Sequence, residues 1–110
     1  MARATGVELL VQGSALPTLD RSALEGYHAS GCVPGGTRRN FASYGQDLIL
    51  DDASEFTRDL VCDPQTSGGL LLSVAPAAAK EVEAALAADG GAAAPIGKVM
   101  AGAAGCLRVI

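Results

Sequence analysis

The stretch "CDPQTSGGLLLSV", residues 62–74, sets the problem that the rest of the chain must answer. Asp63 and Pro64 form a turn-making pair, because Pro64 fixes its φ and Asp63 can accept backbone N–H bonds. Gln65, Thr66 and Ser67 follow, then Gly68 and Gly69, then an apolar run. The glycines permit positive φ or a close approach by another group. Successive N–H groups in such a turn can also form an anion-binding nest. A tight turn feeding a strand, with Gly69 packed on a neighbour, is the simpler explanation, and the residues leave both open. The stretch is not a P-loop, since no Gly-Lys-Ser/Thr follows. The run "GLLLSVA" after it reads as a buried strand.

Working outward, "VELLVQ" (7–12) fits a strand. "LPTLDRSALEGYHASG" reads as a helix capped by Thr18, with Leu19, Ala23, Leu24 and Tyr27 at helical spacing and Gly31 closing it. Residues 32–45 show no clean period and read as a loop with one helical turn. "DASEFTRDLVC" is a short helix, with Asp52 and Glu55 at capping-box spacing and Phe56, Leu60 and Val61 on its apolar face. "PAAAKEVEAALAADGG" is a helix that starts at Pro76, turns Val82, Ala85 and Leu86 inward, and stops at Gly90 or Gly91. "APIGKVMA" and "GCLRVI" read as closing strands joined by a "GAAG" hairpin turn. This order predicts an α+β fold, with helices packed on a mostly antiparallel sheet, in a single domain over residues 1–110.

The composition narrows the function. The 110 residues carry a net charge of −4, which argues against nucleic acid or an anionic membrane surface as a partner. The chain has no Trp, two Phe and two Tyr, so its core must be built from Ala, Val and Leu. No apolar run approaches the ~18 residues of a membrane span. Cys32, Cys62 and Cys106 form no Cys-x-x-Cys pair, and His28 is the only histidine. No metal site is expected, and the cysteines read as small buried residues of a reduced, cytoplasmic protein. His28 reads as a surface or satisfied structural histidine, and Asp51 and Asp52 as helix-capping residues rather than metal ligands.

A second stretch, "GGTRRNFASYG" (35–45), concentrates Gly35, Gly36, Arg38, Arg39 and Asn40 in an acidic chain. A guanidinium suits a phosphate. Surface pairing of one arginine with an acidic neighbour, with Phe41 and Tyr44 plugging the core, is the competing reading. No catalytic triad or dinucleotide-binding fingerprint is present.

Together, "VPGGTRRNFASYG" and "LVCDPQTSGGLLLSV", with the tail "PIGKVMAGAAGCLRVI", resemble the C-terminal region of the selenophosphate synthetase (selenide, water dikinase) family. The resemblance covers essentially the whole chain. "DPQTSGG" is its most specific part and "GGTxRN" supports it. It implies a parent enzyme that converts selenide, ATP and water into selenophosphate, AMP and phosphate, using Mg²⁺, as a cytoplasmic homodimer. It also implies that the reactive Cys or selenocysteine, its lysine partner and most Mg²⁺-binding aspartates lie in an N-terminal ATP-binding domain outside this chain. This chain then looks like a partial C-terminal domain, inactive alone, with its own N-terminal domain as partner and no tightly bound cofactor. Under that resemblance Arg38, Arg39, Asn40, Thr66, Ser67, Gly68 and Gly69 are the phosphate- or substrate-facing candidates. Asp63 and Pro64 shape the turn, and none of the three cysteines is catalytic. A sibling ATP-using enzyme of the same larger group, or a non-catalytic dimerisation or regulatory module, are the alternatives.

Overall fold

A computed structural model describes residues 1–91 and 93–110. The chain opens with a short helix α1 (Ala2–Thr5) and strand β1 (Glu8–Val11). Helix α2 (Arg21–Ala29) is capped by Asp20, whose side chain accepts from the Ala23 N–H at 2.9 Å. Asp20 thus takes the role expected of Thr18, because it immediately precedes the first helical turn. Gly31 closes α2 as expected, at φ 79°.

Residues 35–44 are not the expected loop. They form a ten-residue helix, α3 (Gly35–Tyr44). Pro34 presets its entry, and Thr37, Phe41 and Tyr44 lie at helical spacing and turn inward. The two leading glycines, poor helix formers, hide that period from composition-based reading. Strand β2 (Leu48–Leu50) follows, an apolar triplet too short to be recognised as a strand. Helix α4 (Glu55–Val61) lies where expected, but its cap is Ser54, which accepts from the Thr57 N–H at 3.1 Å, not Asp52.

After α4 the fold departs furthest from expectation. "GLLLSVA" joins no sheet. Leu70 is 92% exposed, Leu71 55% and Leu72 54%. Helix α5 (Ala79–Ala88) is formed and stopped as expected, with Gly91 N–H donating to Leu86 O at 2.9 Å. Its expected inward stripe is only partly covered, since Val82 and Leu86 are half-buried and Ala85 is exposed. Strands β3 (Gly97–Met100) and β4 (Leu107–Val109) close the chain.

The α+β class holds, and the sheet is mixed. Its order is β2-β4-β1-β3. β1 pairs antiparallel with β3, and β4 pairs parallel with both β1 and β2. Two of three pairings are therefore parallel, which corrects the mostly antiparallel expectation. The cause is local: β3 and β4 do not form a hairpin, because β1 lies between them. Glu8 of β1 holds the connection in place. Its carboxylate accepts the Ala103 N–H at 2.6 Å and Arg108 Nε at 2.6 Å, and Arg108 also pairs with Asp51. A Cβ at Gly102 would strike that carboxylate. The core gathers at one end of the sheet, where Val11, Val109 and Gly13 are buried and Gly13 lies against Thr57 of α4.

Two outcomes follow from this arrangement. The hydrogen bond from Arg108, and then that from the Ala103 N–H, hold the Glu8 carboxyl below the usual carboxylate range. A carboxyl depressed by folding adds stability that is complete above the ordinary range and is lost as pH falls through it towards the folded value. Glu8→Gln should therefore lower Tm at pH 7 and flatten the acid limb of Tm against pH; an unchanged acid limb contradicts this. Among the described residues the outer edge of β3 has no partner strand, its four residues are exposed, and Leu70–Leu72 are exposed as well. Such edges recruit other chains. Sedimentation should show self-association that rises with concentration and weakens on Val99→Lys, whereas a clean monomer at high concentration contradicts it.

Candidate functional site

The two motif stretches, 22 residues apart at their point of contact, dock on each other. Asn40 on α3 donates from Nδ2 to the Cys62 carbonyl at 2.8 Å. Cys62 is the C-cap of α4, so this bond satisfies a carbonyl at a helix end, where intrahelical donors run out. One turn earlier on α3, Gly36 lies against the Pro64 ring. A Cβ there would fall 2.6 Å from Pro64 Cγ. Glycine at position 36 is thus set by close approach rather than by backbone angle.

Beneath this joint, Cys62 is fully buried and Tyr44 is half-buried. Burial, and then the nearby Asp59 charge, push the Cys62 thiol up. Burial also pushes the Tyr44 phenol up, with the Cys62 thiol beside it. Both shifts favour the protonated forms, the state of a thiol and a phenol that fill space beneath the joint. The small-buried-residue reading fits Cys62 but not Cys32, which is exposed.

Alongside the joint runs a groove of about 910 Å³. Its walls are α2, α4, the start of α3 and the turn after α4. Ser67, Gly68 and Gly69 line it, together with Asp63 and Gln65. Thr66 is exposed and lies outside the lining, as does Pro64. Arg38 and Arg39 are exposed on α3 and also lie outside it, and neither makes an ion pair among the described residues. Asn40 is half-buried and committed to Cys62. The candidate residues therefore divide between the groove, the joint, the open surface of α3 and, for Thr66, the exposed side of the turn after α4. The backbone N–H groups of residues 66–69 donate to no protein acceptor among the described residues, and these residues are exposed.

A second cluster, which no motif or spacing marks, lies in the groove wall. His28 Nε2 lies 3.0 Å from Asp59 Oδ2, across 31 residues of chain. Asp59 also accepts from Arg58 at 2.7 and 2.9 Å. Burial pushes the Asp59 carboxyl up, but the hydrogen bonds from Arg58 and His28 outweigh it and leave it below its usual range. Asp59 is thus a carboxylate acceptor and His28 Nε2–H the donor. The Phe56 ring lies edge to face with His28 at 5.5 Å and under the Arg21 guanidinium at 5.3 Å. The structural reading of His28 matches this paired position. Thr37, also missed, is buried at 1% exposure with no partner for its hydroxyl among the described residues.

The joint makes a stability prediction. Asn40→Ala leaves the Cys62 carbonyl without its donor and should cost about 1–3 kcal/mol. Gly36→Ala forces α3 and Pro64 apart and should cost a similar ~1–3 kcal/mol. Arg38→Ala, on the open surface, should stay within about 0.5 kcal/mol. Chemical denaturation of the three variants checks this, and equal midpoints would contradict it.

Comparison with known proteins sharpens the picture. No family model matches the chain. Curated relatives do. The chain is 48% identical over 99 residues to the selenide, water dikinase of Yersinia pseudotuberculosis, covering 90% of this chain and 27% of that protein. It is 46% identical to that of Yersinia pestis over the same length, and 49% identical over 90 residues to that of Escherichia coli K12. The chain spans about a quarter of the length of these relatives. Across most of its own residues, this chain is thus similar to a quarter-length part of proteins named selenide, water dikinase.

Proposed function

We propose that this chain is the C-terminal domain portion of an ATP-dependent selenide, water dikinase, which makes selenophosphate, AMP and phosphate from selenide, ATP and water. The observation that carries the reading is the 46–49% identity to proteins of that name, joined to the docking of the two motif stretches. In this reading the parent is a cytoplasmic homodimer, and this domain, spanning residues 1–110, folds against an N-terminal ATP-binding domain of the same chain.

Phosphoryl transfer depends on positioning and on neutralising charge more than on covalent help. Arg38 and Arg39, exposed and without ion pairs among the described residues, suit the neutralising role, presenting guanidinium groups to a phosphate oxygen or to selenide. Asn40 is a positioning residue, since it ties α3 to the end of α4. The N–H groups of Thr66, Ser67, Gly68 and Gly69 offer donors to an oxyanion. Asp63 and Pro64 shape the turn, with Pro64 seated on Gly36. Among the described residues no three His, Cys, Asp or Glu side chains converge as a metal site; in this reading the Mg²⁺ of the parent would be held by the N-terminal ATP-binding domain.

Phosphorus NMR of the intact parent with MgATP and selenide, repeated with Arg38→Ala and Arg39→Ala, tests the proposal. Selenophosphate and AMP should form, this chain alone should form neither, and at least one variant should lose more than tenfold in kcat/KM. ADP, or no selenium-linked phosphorus signal from an active parent, would overturn the reaction assignment. Two variants within a few-fold of wild type would overturn the role of the arginines.

A further inference from the structure

We infer that α2 is a hinged strap over the groove, latched to α4 at His28 and Asp59. None of the α2 residues is buried, although the helix forms one wall of a groove lined by Leu24, Tyr27, Phe56 and Leu60. Its attachments outside its own segment are few. Among the described residues its side-chain hydrogen bonds to other elements are two: His28 to Asp59 at 3.0 Å, and Arg21 Nη1 to Gly13 O at 3.2 Å. Both residues also meet the ring of Phe56, so the strap is fastened around one point on α4.

The segment has the ends a strap needs. Pro17 precedes it, and Gly31 follows it at φ 79°, a backbone state that side-chain-bearing residues resist. A hinge requires only a few such terminal positions. Within the strap, α2 is well made. Asp20 caps its start, Arg21 pairs with Glu25, and Ser30 Oγ bonds Gly26 O at 2.9 Å. It can therefore swing as a unit without unwinding. Elements with few buried apolar contacts open at lower free energy than the global transition. Opening would widen the groove on the side facing Ser67, Gly68 and Gly69. The inference stands on these contacts alone and does not depend on which reaction the parent performs.

Amide hydrogen exchange on the chain, read helix by helix, is the test. In the wild type, the bonded amides of α2 should exchange at least tenfold faster than those of α3 and α4. His28→Ala should raise the α2 rates by a further tenfold or more and leave α3 and α4 unchanged. Arg21→Gln, which removes the second attachment, should do the same. Wild-type α2 amides that exchange only at the α4 rate would overturn the inference, and that result needs no variant to fold. So would a His28→Ala protein whose α2 rates are unchanged, or whose helices all accelerate together.

Discussion

The hydrogen bond from Asn40 to the Cys62 carbonyl is the constraint on which the helical half of the molecule rests. A helix C-terminus leaves carbonyls without partners, and burial beside α3 removes water as a substitute. The Asn40 amide fills that need and fixes the direction in which the chain leaves α4. The next residues, Asp63 and Pro64, then run across the start of α3, where only a glycine at position 36 leaves room for the proline ring. Cys62 and Tyr44 close the space below. The groove takes its shape from this joint, because one of its walls is the turn that the joint aims.

The sheet depends on a different polar contact. Glu8 binds both the 102–103 turn and Arg108 of β4, which keeps β1 as a central strand. Both halves of the fold are thus organised by a polar side chain, half-buried at Asn40 and buried at Glu8, that binds backbone at long sequence separation. In a chain without Trp, whose fully buried side chains are as small as Val109, Thr37 and Cys62, polar contacts fix the geometry that large apolar side chains would otherwise impose.

This explains what could be read from the sequence and what could not. The class, the strands at 8–11, 97–100 and 107–109, and helices α2, α4 and α5 follow from local period and stop residues such as Gly31 and Gly90. The caps fall at Asp20 and Ser54 rather than Thr18 and Asp52 because several Ser, Thr and Asp residues compete within a few positions. Helix α3 is obscured by its two leading glycines, and the reason for one of them, Gly36, lies 28 residues away at Pro64. "GLLLSVA" has the composition of a strand, but composition cannot supply the neighbouring strand it would pair with. The parallel pairings were hidden because adjacency in sequence suggested a hairpin. In the site, "DPQTSGG" and "GGTRRN" were identifiable as special, but their contact, and the cluster of His28 with Asp59, are long-range facts that no spacing encodes.

The docking of the two motifs is the central claim, and through-space NMR tests it most directly. Nuclear Overhauser effects between the Gly36 Hα protons and the Pro64 ring protons, with the Asn40 side-chain amide protected from exchange, are the predicted result. Absence of those cross-peaks in a folded, assigned sample, with the Asn40 amide exchanging freely, would contradict the account.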